Sequence, residues 1–135
     1  TMQKNLNLKV KFRESFRPFA PSVLEEHRKE IFDLDCFSPY MLITTKVKPE
    51  WRERIPAVTH IDFTSRYQSV TREMNEKYHD LISKFYDKSG IPLLLNTSFN
   101  GRGEPVVESP SDAINSFYNN GIHILVINNI VIRKT

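Results

Sequence analysis

From Met74 onward the chain changes its hydrophobic period repeatedly, and each change is punctuated. Met74, Tyr78, Leu81, Ile82, Phe85 and Tyr86 recur at helical spacing, which predicts a helix from about Asn75 to Ser89 with one apolar stripe. Asn75 suits its N-cap, Gly90 its C-terminal stop, and Pro92 prevents continuation. "IPLLL" follows as a short, wholly apolar run, the pattern of a strand buried on both faces. Ser109 then caps a second helix, with Pro110 in the first turn and Asp112 at the third position, where a carboxylate suits the helix dipole. Ala113, Ile114, Phe117 and Tyr118 form its stripe and Gly121 ends it. "HILVI", an Asn128-Asn129 turn and "IVIRK" close the chain as two strands. Strand, helix, strand, helix, strand argues an α/β fold with at least one parallel crossover and an antiparallel edge at the Asn-Asn turn.

The first half is less regular. Ser22 and Glu25 have capping-box spacing, which predicts a helix from Ser22 to about Phe32. "PYMLITTKV" reads as a strand between Pro39 and Pro49, and "SRYQSV" as a weaker one. "TMQKNLN" has no periodicity, so residues 1–10 read as a frayed end or linker remnant and residues 11–135 as a single domain.

A length of 135 residues, 39% hydrophobic and 26% charged, fits one soluble globular domain. No apolar run is long enough to span a bilayer, so no membrane partner is expected. One cysteine, Cys36, excludes an internal disulfide, and without an export signal a cytoplasmic setting is expected. The net charge of +3 suits an anionic partner, either a phosphate ligand or RNA.

The stretch "NTSFNGRGEP" leaves the C-terminal end of the "IPLLL" strand and leads into a helix, where open α/β sheets bind ligands. It offers the side chains of Asn96, Thr97, Ser98 and Asn100, and backbone amides that Gly101 and Gly103 leave able to turn toward an anion. Two readings stand: one wall of an anion site, or a long turn held by local side-chain bonds. It is neither a Walker loop nor a dinucleotide fingerprint.

Upstream, "KVKFRESFRPFAP" carries Lys9, Lys11, Arg13 and Arg17 against Glu14. In an extended segment Lys11, Arg13 and Arg17 share one side, with Phe12 and Phe16 toward the core. The alternative is a charged edge strand. His60, Asp62, Thr64 and Arg66 invite a triad reading, but no nucleophile elbow is present, and a histidine satisfied by its neighbours is the simpler account. The four histidines and Cys36 are scattered, so no protein-bound metal is expected; magnesium enters, if at all, with a nucleotide. Trp51 stands among Arg52, Glu53 and Arg54, where it either stacks on a base or packs under its own basic turn.

Three stretches together, "KFRESFRPFAPSVLEE", "SPYMLITTKVKPEWRERIPAVTHIDFTSRYQSV" and "PLLLNTSFNGRGEPVVESPSDAI", resemble the C-terminal domain of the NodU/CmcH-type carbamoyltransferases, in the family's order. The resemblance implies a YrdC-like α/β domain, a twisted mixed sheet with flanking helices and a basic concave face. It implies that this domain takes ATP and carbamoyl phosphate and forms a carbamoyl-adenylate. An N-terminal domain of the actin/Hsp70-like ATPase type then passes the carbamoyl group to a hydroxyl of a small-molecule acceptor such as a nodulation factor, cephem or aminoglycoside. Lys11 and Arg17 match the family's basic pair that grips carbamoyl phosphate and nucleotide phosphates, and Arg66 matches the arginine of its "THxDxTxR" motif. The same resemblance makes Lys11, Arg17 and Arg66 the catalytic candidates. Ser98 matches a phosphate-contacting serine, with Asn96 and Asn100 as neighbours. ATP with magnesium is expected as a substrate. Gly101 departs from the family, which often has a larger residue there. The N-terminal domain, and a further arginine that precedes the basic segment in the family, are not in this sequence, so the chain is expected to be an excised domain unable to complete transfer. The competing readings are an RNA-binding YrdC-like module and a catalytically silent structural domain; against RNA, the basic residues lack interleaved exposed aromatics, since Phe12, Phe16 and Phe19 read as core.

Overall fold

The computed structural model describes residues 2–134. In chain order the elements are α1 (Met2–Lys9), β1 (Ala20–Leu24), α2 (Arg28–Ile31), β2 (Thr44–Lys46), α3 (Pro49–Arg52), β3 (Thr64–Arg66), β4 (Gln68–Val70), α4 (Glu76–Ser89), β5 (Leu93–Asn96), α5 (Pro110–Asn119), β6 (Ile124–Ile127) and β7 (Ile130–Arg133). They fall into two compact units, one of Thr1–Arg17 with Ser98–Thr135, the other of Pro18–Thr97. The expected α/β class, with a mixed sheet and flanking helices, is what the structure shows.

The unit of Pro18–Thr97 is built on a three-stranded sheet ordered β4-β1-β5. β1 runs parallel to β4, with Ser22 opposite Gln68, and antiparallel to β5, with Ala20 opposite Asn96. One parallel pair therefore exists, but neither α4 nor α5 supplies its crossover. The chain from β1 to β4 instead runs through α2, the antiparallel pair β2–β3 and α3. The helix expected from Ser22 is also absent. Ser22 lies in β1, a fully buried strand, and the helical turns begin only at Glu25. The expected "PYMLITTKV" strand contracts to Thr44–Lys46.

α4 forms as its caps dictate: Asn75 accepts from the Tyr78 amide, and Gly90 takes the left-handed conformation at φ 69°. Its stripe is only partly used. Ile82 is fully buried in a cluster with Leu24 and Val70, packed by Tyr78 and Leu94, while Leu81 and Phe85 are exposed. Burying a side chain such as Ile82 contributes about 1.5–3 kcal/mol. Trp51 is 7% exposed, with the Arg54 guanidinium 3.9 Å from its ring. It packs under its own basic turn.

In the other unit, α5 begins at a complete capping box. Ser109 Oγ accepts from the Asp112 amide at 3.2 Å, and the Asp112 carboxylate accepts from the Ser109 amide at 3.0 Å. Ala113 and Phe117 pack with Leu125 of the β6–β7 hairpin, whereas Ile114 and Tyr118 of the expected stripe are 36% and 63% exposed. The Asn128-Asn129 turn closes the hairpin, with Asn128 at φ 53°. Residues 2–9, expected to fray, form α1 instead. Its inward face is amide rather than apolar: Asn7 is fully buried. At its C-terminal end the Lys9 carbonyl accepts from the Gly121 amide at 2.9 Å, so closely that a Cβ on Gly121 would stand 2.6 Å from that oxygen. No helix among the described residues is long and apolar enough to cross a membrane.

Candidate functional site: a basic cleft closed by a lysine latch

Within the unit of Thr1–Arg17 and Ser98–Thr135, a cleft of about 690 Å³ opens between the segment after α1 and the loop before α5. Lys11, Arg13, Arg17 and Arg102 line it against a single carboxylate, Glu14, and Ser98, Asn100 and Gly101 complete the wall. The basic segment is not extended. Phe12 takes φ 47°, and the Arg17 amide turns back to the Glu14 carbonyl at 3.2 Å. The alternation expected from Lys11 to Arg17 is thereby broken, and Phe12 and Phe16 are exposed rather than core. The cations converge through turns instead.

Lys11 is 8% exposed and its ammonium is fully engaged. Nζ donates toward the Ser98 carbonyl at 3.0 Å, Ser98 Oγ at 3.1 Å, the Asn100 carbonyl at 3.1 Å and Asn100 Oδ1 at 2.7 Å. Four neutral oxygens thus share three N–H bonds. Ser98 Oγ also donates to Asn100 Oδ1 at 2.7 Å, and Asn100 Nδ2 donates to the Glu104 carbonyl at 2.9 Å. Lys11 is therefore a latch that shapes the loop. Burial pulls it below the ordinary lysine value, and the Arg13 charge adds to that. Burial likewise lowers Arg13, the Arg17 charge lowers it further, and Glu14 partly opposes both. Among the described residues four cations gather here against Glu14, whose carboxylate stands 3.9 Å from the Arg17 guanidinium, and this excess of positive charge suits an anion.

The loop already holds an anion of its own. Glu104 Oε2 accepts from the Gly101 amide at 2.9 Å. The amide expected to turn toward a ligand is occupied by this carboxylate, and a Cβ on Gly101 would come 2.6 Å from the same oxygen. Gly103 sits at φ 75° and is outside the cleft lining. Arg102, between the two glycines, donates to the Phe12 carbonyl at 3.4 Å. Sequence reasoning passed over Arg102, Glu104 and Asn7; only the "GRG" spacing hinted at the first.

Arg66, Asn96 and Thr97 belong to the other unit. There Asn96 Nδ2 donates to Ser22 Oγ at 3.0 Å and Gln68 Oε1 at 2.9 Å, while Ser22 Oγ donates to Gln68 Oε1 at 2.7 Å. This polar ladder crosses all three strands of the β4-β1-β5 sheet. Arg66 is exposed at the end of β3. His60 is met by Thr64 Oγ1 at 3.1 Å, and Thr64 donates to Asp62 at 2.7 Å, so this histidine is satisfied locally. Burial pulls His60 below its ordinary value, with Asp62 opposing and Arg66 adding to the fall. Among the described residues no three His, Cys, Asp or Glu side chains are grouped to hold a metal.

The family model described as Carbamoyltransferase C-terminus matches residues 1–134. The chain belongs to this family. As a family member it is 43% identical over 155 residues to an uncharacterized protein of Synechocystis sp., a match covering 100% of this chain and 25% of that relative. It is 42% identical over 137 residues to the nodulation protein NolNO of Sinorhizobium fredii, covering 99% of this chain and 20% of the relative. With the nodulation protein NolO of Bradyrhizobium diazoefficiens the identity is 42% over 132 residues, covering 96% and 24%. This carbamoyltransferase domain thus spans a quarter or less of the length of these relatives.

Proposed function

We propose that the chain is the part of an O-carbamoyltransferase that binds ATP and carbamoyl phosphate and makes a carbamoyl-adenylate. The remainder of the full-length protein then transfers the carbamoyl group to a hydroxyl of a small-molecule acceptor. The observation that carries this reading is the cleft in which Lys11, Arg13, Arg17 and Arg102 face one carboxylate, in a chain of the carbamoyltransferase C-terminus family.

The overall change, carbamoyl phosphate plus ATP plus water to carbamoyl-adenylate, pyrophosphate and phosphate, moves negative charge among phosphoryl oxygens. Such steps need fixed cations and N–H donors more than a covalent nucleophile. Guanidinium groups grip phosphate oxygens in pairs, and Arg13, Arg17 and Arg102 are the groups to do so. Lys11 keeps Ser98 and Asn100 in place behind them and adds its charge. Arg66 and Asn96 enter this reading through the family motifs they match. Magnesium accompanies the nucleotide; the cleft supplies cations, the complement of a metal-bearing polyphosphate rather than a cage for the metal.

A second reading has one observation in its favour. Phe12 and Phe16 are 45% and 78% exposed, interleaved with Lys11, Arg13 and Arg17. Basic side chains alternating with exposed rings suit single-stranded RNA. One titration separates the two. Thermal stability is followed with ATP and magnesium, with carbamoyl phosphate, and with short single-stranded and duplex RNA. Stabilisation by the small phosphates, lost in Arg17→Ala and Arg102→Ala, is expected. A response to RNA alone, falling steeply with salt, would replace the first reading by the second. No response in wild type would leave a silent structural domain.

A further inference from the structure

Two amide side chains stand one turn apart on α1 and reach the same carbonyl. Asn7 Nδ2 donates to the Arg17 carbonyl at 2.8 Å and to the Ser15 carbonyl at 3.2 Å. Gln3 Nε2 donates to the Arg17 carbonyl at 3.1 Å and to the Phe16 carbonyl at 3.4 Å. The spacing of four residues puts both on one helix face. Asn7 also serves a second group, since its Oδ1 accepts from Arg13 Nε at 2.7 Å. Its orientation follows from chemistry, because a guanidinium can only donate and a carbonyl can only accept. The Arg13 amide also donates to the Asn7 carbonyl at 2.9 Å. Asn7 is 0% exposed, and α1 itself is tied down through the Lys9 carbonyl and Gly121.

We infer that Asn7 is a positioning residue of the anion cleft: from a fixed helix it holds the Arg13 guanidinium and the Arg17 backbone in the places where both line one wall. The inference rests on the proposed reading of the cleft as a phosphate site. The need for a clamp is electrostatic. Arg13 and Arg17 repel, the Glu14 carboxylate 3.9 Å from Arg17 offsets only part of that, and their segment has no strand or helix to stiffen it. Left to itself, an irregular turn with an excess of positive charge would sample open forms, and ligand binding would then have to supply the entropy of ordering it. A buried asparagine with all of its hydrogen-bonding atoms matched to that one segment removes the cost beforehand. An apolar residue of the same size would fill the space and do none of this.

The test compares the affinities of pyrophosphate and inorganic phosphate, by calorimetry on the 135-residue chain, with amide exchange measured in parallel. Asn7→Leu is expected to weaken pyrophosphate about tenfold and phosphate much less, because the larger anion needs both arginines at once. The ratio of the two affinities falls, whereas a mere loss of folded protein scales both alike. Exchange at the Arg13 and Arg17 amides rises at least tenfold while α5 stays protected. Gln3→Ala, which removes only a half-buried donor, is expected to lower the ratio about twofold. If the ratio and the exchange at residues 13 and 17 are unchanged in Asn7→Leu, the inference is overturned. If Asn7→Leu unfolds, an unchanged ratio in Gln3→Ala overturns it. A wild-type chain that binds neither anion sinks the functional reading and this one together; one that binds, beside variants that bind equally well, sinks this one alone.

Discussion

Asn96 and Asn100 stand four residues apart in one polar stretch, yet they are held in different ways. Asn96 donates to a hydroxyl and an amide oxygen across a sheet, in a network without formal charge. Asn100 accepts from a buried ammonium and braces a loop that has no regular structure. The unit boundary falls between them, after Thr97. The contrast teaches that one motif can serve two masters. Its first half fixes strands to each other, and its second half fixes a loop to a cation. Removing a partner from the first leaves a polar atom short; removing the cation from the second takes away what shapes the loop.

The sharpest way to break this comparison is Lys11→Met. Four oxygens lose their donor, and a charged hydrogen-bond donor is worth about 1.5–3 kcal/mol. The Ser98–Glu104 amides are expected to lose protection and phosphate binding to fall at least tenfold, read by amide exchange and calorimetry. Unchanged protection would show that the loop holds its own shape. Next in size, Asn96→Leu removes a donor from Ser22 Oγ and leaves Gln68 Oε1 with the Ser22 hydroxyl, and it should cost about 1–3 kcal/mol in the unit of Pro18–Thr97. It should leave exchange in the Ser98–Glu104 loop alone. Equal loss in both places, measured in the same experiment, would erase the distinction between the halves.

A gentler probe is Glu104→Gln. Wild type places the Glu104 carboxylate on the Gly101 amide, where it would compete with an incoming anion. Neutralising that side chain should tighten phosphate binding about threefold, as removal of one nearby like charge does. Weaker binding in the variant would mean that Glu104 supports the loop instead of competing for it. The smallest effect concerns acid. Ser109, by side-chain and backbone hydrogen bonds, holds the Asp112 carboxyl below the ordinary aspartate value. A lowered folded value means that its stabilisation of α5 is complete above the ordinary range, near 3.9, and is lost as pH falls from there through the folded value. Ser109→Ala should flatten that acid limb in a pH series of melting temperatures, and an identical limb would remove Asp112 from the account.

What could be read in the sequence follows from how local each signal is. α4 and α5 were legible because caps and stripes are written within a few residues: Asn75 with Gly90, Ser109 with Asp112. β1 was not. Ser22 and Glu25 mimic a capping box, but Ser22 lies opposite Gln68 and Leu94, and the partners that decide its fate lie more than forty residues away. α1 was illegible for a different reason. Its buried face is Asn7, so hydrophobic periodicity had nothing to register. Phe12 and Phe16 misled because alternation presumes extended backbone, and the left-handed turn at Phe12 ends it. The cleft was legible in part: family resemblance assigned Lys11, Ser98 and Asn100 to one phosphate site, but the hydrogen bonds that join them span almost ninety residues and were not read, and Arg102 went unnoticed between two glycines.

The tryptophan tucked beneath Arg54 has a practical bearing. It is the chain's single tryptophan, and it belongs wholly to the unit of Pro18–Thr97. Selectively excited indole emission therefore originates in that unit, whereas the cleft belongs to the other. An optical melt and a calorimetric one will coincide only if the two units unfold as one. Should they part, a phosphate ligand would shift the heat-absorption peak of the dark unit while the glow of Trp51 stays where it was.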